Sequence, residues 1–221
     1  MLDRPVRKLI DPSLESLAAR LAALGVSANT CTVAGFALGM LGCVAIACQQ
    51  YLLGLVFILA NRLADGLDGC IAHHSRITDV GGFLDIVLDV LFYGGVPVAF
   101  AVAQPANVLP ACFLVYSFMG TTGSFLAYAV IAAKRGVTSD HEGRKSFVYS
   151  VGLMEGTETV LFFTLFCLFP HRFAMLAWIF GVLCWATVAL RILSGVVMFS
   201  DQADSTGTTD HPQPSTPEHV R

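Results

Sequence analysis

The sequence predicts an all-α integral membrane protein, with six transmembrane helices behind an N-terminal amphipathic juxtamembrane helix. Three observations carry this. The 221-residue chain has a mean hydropathy of +0.69 and only 13% charged residues, which is a membrane composition. Residues 21–61 contain no Asp, Glu, Lys, Arg or His, and neither do residues 90–133, so each stretch has room for about two spans of roughly 20 residues. Third, the acidic residues inside apolar sequence are gathered in one place: Asp65, Asp68, Asp85 and Asp89.

Taken in order, residues 1–26 form a cytoplasmic segment. Leu9, Leu14, Leu17, Leu21 and Leu24 recur at helical spacing beside Arg4, Arg7, Lys8 and Arg20. That pattern suits a helix lying at the membrane surface or capping the helix ends. The first apolar run begins too late for a cleavable signal, so this segment is expected to be retained. Residues 27–199 form the transmembrane domain, with spans expected at 29–48, 51–73, 79–103, 107–133, 147–169 and 173–199. Pro97 and Pro110 fall within spans, where neighbouring helices can satisfy the freed carbonyls. Residues 200–221 are polar, carry Pro212, Pro214 and Pro217, and are expected to be a disordered cytoplasmic tail. The seven cysteines all lie in apolar segments without a C-x-x-C, so they are packing residues and not a disulfide or zinc framework.

Basic residues set the orientation. Arg4, Arg7, Lys8 and Arg20 precede the first span, Arg76 lies between spans two and three, and Lys134, Arg135, Arg144 and Lys145 lie between spans four and five. The opposite side offers only Arg172. The basic loops, both termini and the acidic cluster are therefore expected on the cytoplasmic side.

The cluster carries the chemistry. A carboxylate inside a bilayer costs roughly 2.5–3.5 kcal/mol on insertion scales, so four together demand a purpose. They fall as D-x-x-D-G and then G-x-x-x-D-x-x-x-D. Paired across the gap, 65 with 89 and 68 with 85, both pairs centre close to residue 77. A helical hairpin turning there brings all four to one depth, roughly 12–18 Å from the turn. Two facing pairs of hard oxygen ligands suit divalent cations that clamp a phosphate or pyrophosphate. Without a cation, four such carboxylates cannot all remain ionised. Gly66, Gly69, Gly81 and Gly82 leave bare backbone beside them, either for close approach of a phosphate or for helix packing. Arg62 and Arg191 are the intramembrane bases that would make the acids a structural ion-pair network instead.

Asp65-Gly-Leu-Asp68-Gly69-Cys-Ile-Ala72-His73, followed by Gly81-Gly-Phe-Leu-Asp85-Ile-Val-Leu-Asp89, resembles the signature of the CDP-alcohol phosphotransferases, D-x-x-D-G-x-x-A-R and then G-x-x-x-D-x-x-x-D. Ala28-Asn29-Thr30-Cys31-Thr32 resembles that family's P-N-x-L-T segment at the first span. The sequence is similar to a bacterial inner-membrane branch of the family. The resemblance implies two Mg²⁺ or Mn²⁺ ions, one held by Asp65, Asp68 and Asp85, the other by Asp65, Asp85 and Asp89. It makes Asp89 the general base toward the acceptor alcohol. It places Asn29, Thr32, Gly69, Ala72, His73, Thr78 and Gly81 at the CDP and phosphate side. The reaction implied is attack by an alcohol on a CDP-linked phosphate, with CDP-diacylglycerol or another CDP-alcohol as donor and CMP as leaving group. A homodimer in the bacterial inner membrane is implied as well, with lipid as a partner and no nucleic acid.

Two departures bear on the donor. The family's Arg is His73 here, and the gap to Gly81 is one residue shorter than usual. A guanidinium grips a pyrophosphate in a bidentate way that imidazole does not reproduce, and Arg76 is the candidate to reach in instead. Lys145, Glu155, Glu158 and Arg191 are candidate acceptor-binding residues, Lys145 with Arg144 for a phosphorylated acceptor. Plain structural and positive-inside roles stand beside that reading. Three other functions remain open. An intramembrane prenyltransferase also uses Asp clusters and Mg²⁺, but needs two separate Asp-rich loops. A cation or proton transporter would show a second-half repeat of the motif. A catalytically inactive scaffold is the third, given His73.

Overall fold

The computed structural model describes residues 14–74, 78–135 and 156–200, and every regular element among them is helical. Residues 14–23 are a helix, α1. It ends where Gly25 takes φ +82°, with Gly25 N–H donating to the Ala22 carbonyl (3.0 Å) and Val26 N–H to that of Leu21 (3.0 Å). This pair of bonds is a Schellman stop, and the left-handed position is why a glycine stands there. Ser27 then caps α2 (Ala28–Ala47), its hydroxyl accepting from Thr30 N–H at 3.1 Å.

After α2 the chain reverses in three residues. Gln49 takes φ +64°, its N–H and that of Gln50 close the helix end at 2.8 Å each, and its side chain donates to the Ala103 carbonyl. α3 (Tyr51–His74) runs back along α2 at close range. A Cβ on Gly42 would lie 3.2 Å from the Gly54 carbonyl, and one on Gly54 would lie 3.2 Å from that of Gly42. Only glycine at both positions lets the two backbones meet there.

α4 (Asp79–Ala103) is capped by Thr78, whose hydroxyl accepts from Gly81 N–H at 3.1 Å. A turn of 3-10 helix (Pro105–Asn107) leads into α5 (Val108–Lys134), and buried Asn107 donates to the Phe100 carbonyl. α6 (Gly156–Leu168) and a second 3-10 turn (Pro170–Arg172) precede α7 (Phe173–Ser200). α2 packs on α3 and α4, α4 also on α5, α5 on α7, and α3 on α6. The core between them is aromatic. Phe92, Phe100, Phe163, Phe166, Phe173 and Phe180 are fully buried, and the Phe100 and Phe173 rings stack at 4.5 Å.

The outer faces are also apolar, as Leu53, Val98, Leu109, Met119, Val182 and Leu193 show. A bilayer is the solvent that such a surface fits. Among the described residues, four segments are long and apolar enough to cross it: Ala28–Ala47, Asp79–Ala103, Pro105–Lys134 and Pro170–Ser200. α3 is long enough, but Arg62, Asp65 and Asp68 occupy its second half. α6 is a shorter apolar helix of 13 residues. Of the span expected at 147–169, residues 147–155 lie outside the described part, as do residues 1–13 of the N-terminal segment and 201–221 of the expected disordered tail.

Candidate active site

A single pocket gathers all four aspartates. α2 contributes Thr32, Gly35 and Phe36 to its wall; α3 contributes Asn61, Arg62, Asp65 and Asp68; α4 contributes Asp85, Leu88 and Asp89. Helical spacing explains the arrangement. Asp65 and Asp68 share one face of α3 at i, i+3, Asp85 and Asp89 share one face of α4 at i, i+4, and α2, packed against both helices, brings the two faces to one pocket.

Each acid has its own surroundings. Asp68 is buried, 7% exposed, and takes a hydrogen bond from the Thr32 hydroxyl at 2.6 Å. Thr32 Oγ1 also lies 3.0 Å from the Ala28 carbonyl, one turn back on α2. Asp89 pairs with Arg62, Nη2 to Oδ1 at 2.5 Å, and Asp65 Oδ2 stands 3.6 Å from Arg62 Nη1. Asp85 is exposed, one turn nearer the start of α4.

Arg62 is built in firmly. Its Nε donates to Asn61 Oδ1 (2.8 Å) and its Nη1 to the Tyr93 hydroxyl (3.0 Å), and the guanidinium lies over the Phe92 and Tyr93 rings at 4.9 and 5.1 Å. Asn61 is itself buried and anchored on α2, donating to the Gly35 carbonyl at 2.9 Å. A Cβ on Gly39 would strike the Phe92 ring at 2.6 Å, so that glycine makes room for the aromatic shelf under the guanidinium.

The donor set of carboxylate oxygens suits a hard divalent ion. Among the described residues, however, no three acidic, His or Cys side chains converge on one point as they stand. The cause is visible in the hydrogen bonds. Asp68 is turned to Thr32, while Asp89 and Asp65 are turned to Arg62. Asp65, Asp68 and Asp85 are the residues that would hold an ion.

Three of the expected CDP-side residues also meet. A Cβ on Gly81 would lie 2.9 Å from Asn29 Oδ1 and 3.1 Å from Thr78 Oγ1, so Asn29 on α2 and the capped start of α4 are in contact. Gly69 is exposed with open space where a side chain would go, and Ala72 is half-buried in the last turns of α3. His73 belongs to α3, with a side chain outside the described residues; Arg76, Lys145 and Glu155 lie outside them entirely.

Arg191 is elsewhere. It donates to the Thr121 carbonyl (2.8 Å) and the Ser124 hydroxyl (3.2 Å), clamping α7 to α5, and does not line the aspartate pocket. Glu158 is buried in the first turn of α6, also away from the pocket lining. Of the two bases weighed as ion-pair partners of the acids, Arg62 takes that place and Arg191 does not. Asn61, Phe92 and Tyr93 carry no motif in the sequence. Spacing is their one signal: Phe92 and Tyr93 come about one turn after Asp89, and Asn61 about one turn before Asp65.

A helical membrane protein with an acid-lined pocket among three of its helices is the class that fold and site define. The chain belongs to the CDP-alcohol phosphatidyltransferase family, a family of transferases whose model matches residues 25–193. Inner membrane protein YnjF of Escherichia coli (strain K12) is 48% identical over 196 residues, covering 88% of this chain and 95% of that one. Archaetidylinositol phosphate synthase of Pyrococcus horikoshii is 30% identical over 87 residues, 39% of this chain and 46% of that one. Among solved structures, phosphatidylinositol phosphate synthase of Mycobacterium tuberculosis, crystallised with CDP-DAG bound, superposes with a TM-score of 0.61 at 19% identity, covering 82% of this chain and 92% of the other. That last likeness is one of fold.

Proposed function

We propose that this protein transfers a phosphatidyl group from CDP-diacylglycerol to an alcohol, releasing CMP, with a divalent metal ion, Mg²⁺ or Mn²⁺, at the aspartate pocket. The observation that carries the reading is the convergence of Asp65, Asp68, Asp85 and Asp89 on one pocket, at the spacing of the family signature. The match to the family model and the CDP-DAG bound to the structural neighbour support the choice of donor.

The ion would supply charge neutralisation at the transferred phosphate and its leaving oxygen. Asp65, Asp68 and Asp85 would bind it, and Thr32 fixes Asp68 for that task. Asp89 would accept the proton of the acceptor hydroxyl. Its Oδ1 is engaged by Arg62, and the Tyr93 hydroxyl is hydrogen-bonded to the same carboxylate. The acceptor oxygen bonds to phosphorus, the bond from phosphorus to the CMP oxygen breaks, and CMP leaves with that electron pair. Asn29, Thr78 and Gly81, which meet one another, would lie on the nucleotide side, and Gly69 offers open backbone. Beyond the described residues, His73 and Arg76 are proposed on the same nucleotide side. Lys145 and Glu155 are proposed toward the acceptor.

In this reading α3 and α6 cross the bilayer with the four apolar segments, giving six spans. The pocket and the N-terminus face the cytoplasm of a bacterial inner membrane, and the protein works as a homodimer. The test of the base is Asp89→Asn in purified protein with CDP-diacylglycerol, Mg²⁺ and an alcohol acceptor. CMP release is expected to fall at least about 100-fold, in the range typical for loss of a general base. Release at the wild-type rate would remove Asp89 from that role.

A further inference from the structure

We infer that the guanidinium of Arg62 stands permanently where a second metal ion would sit, so that the pocket binds one divalent ion and not two. The inference rests on the reading of the pocket as a metal site and deepens it. Asp89 Oδ1 and Asp65 Oδ2 are the oxygens that would bracket an ion between α3 and α4 on this side of the pocket, and both are turned to Arg62, at 2.5 and 3.6 Å. An ion bound to them at about 2.1 Å would lie only a few ångströms from the guanidinium. At that range, in a partly buried pocket, two positive charges repel strongly.

Arg62 cannot simply swing aside to admit that ion. Its side chain is 13% exposed. Its Nε is held by Asn61, which is fixed to the Gly35 carbonyl of α2, and its Nη1 by the Tyr93 hydroxyl. Its plane rests against Phe92 and Tyr93. Withdrawal would leave the buried Asn61 oxygen without this donor and lose both ring contacts, each a cost with no compensation in an apolar interior. Asp68 is held from α2 by Thr32 and not by this assembly, and Arg62 is the one basic side chain among the residues lining the pocket. The single ion belongs at Asp68 and Asp85, with Asp65 shared. Arg62 is thus a positioning residue: it holds Asp89 by one oxygen and supplies fixed positive charge without occupying the coordination of the ion.

The test is the number of ions, read without turnover. Full-length protein in lipid nanodiscs is titrated with Mn²⁺, and bound ions are counted by electron paramagnetic resonance. One Mn²⁺ per chain is expected in the wild type. Two are expected in R62M, with the spin coupling of a close pair. D89N is expected to keep its one ion with affinity within about twofold, since Asp89 is not a ligand here. Two ions in the wild type would overturn the inference while leaving the metal reading intact; no bound Mn²⁺ would remove both. Loss of the ion in D89N, or a folded R62M that still binds one, would overturn the place given to Arg62. If R62M does not fold, the wild type and D89N decide the matter.

Discussion

Thr32 and Asn61 show how single side chains prepare the pocket. Asp68 is nearly enclosed, yet it keeps one partner for its charge because the Thr32 hydroxyl is aimed at it from α2 at 2.6 Å. Groups that orient a metal-binding carboxylate typically govern affinity by 10–100-fold. Thr32→Val is therefore expected to raise the Mg²⁺ concentration for half-maximal CMP release roughly tenfold or more, measured as a metal titration at saturating donor. An unchanged midpoint would mean that Thr32 serves the nucleotide alone. Asn61 joins α2 to Arg62, and Asn61→Leu strips the guanidinium of its Nε partner and the Gly35 carbonyl of its donor. A loss of about 1–3 kcal/mol is expected, seen as a lower melting temperature in detergent. At this scale the aspartates were legible from the sequence, because i, i+3 and i, i+4 spacing survives into the fold. The Arg62 box was only half legible. Its pairing with Asp89 crosses from α3 to α4, and the choice of Arg62 over Arg191 depends on which helices pack together.

Among the elements, the α2–α3 hairpin bears the most geometric demand, because α2 is the wall against which the acids of α3 are set. Its closest approach is at Gly42 and Gly54. Gly54→Leu is expected to cost about 1–3 kcal/mol by overpacking and to lower the melting temperature. Gly94→Ala, with open space around the new methyl, is expected to leave it unchanged or raise it slightly. Equal losses in both would mean that backbone approach is not what holds the hairpin. Helix limits were well marked in the sequence. The expected 29–48, 51–73, 79–103, 107–133 and 173–199 differ from the observed helices by at most one residue at each end, since Ser27 and Thr78 caps and the Gln49-Gln50 and Pro105 breaks are local signals. The ionisable face of α3 is what separates it from the four plainly apolar spans, and that same face builds the pocket.

For the whole molecule, the apolar exterior suits a bilayer, and the proposed function has the acidic pocket of α3 and α4 reached from one side of it. The proposed orientation puts the α2–α3 turn, with exposed Cys48, on the face away from the pocket. With Cys48 as the sole cysteine, a membrane-impermeant maleimide is expected to label intact spheroplasts. Labelling only after lysis would invert the topology. Lys and Arg placement predicts the direction of the chain through the bilayer, which this labelling tests, whereas nothing in the sequence names the acceptor. Its candidate residues Lys145 and Glu155 carry no spacing signal comparable to that of the aspartates. The most direct test of the central claim is CMP release from labelled CDP-diacylglycerol by purified protein across a panel of alcohols. Release that requires Mg²⁺ or Mn²⁺, stops with a chelator and yields one new phospholipid by mass is the predicted result. Release at the same rate with the metal removed, or no release with any alcohol from protein shown to be folded, would contradict the account.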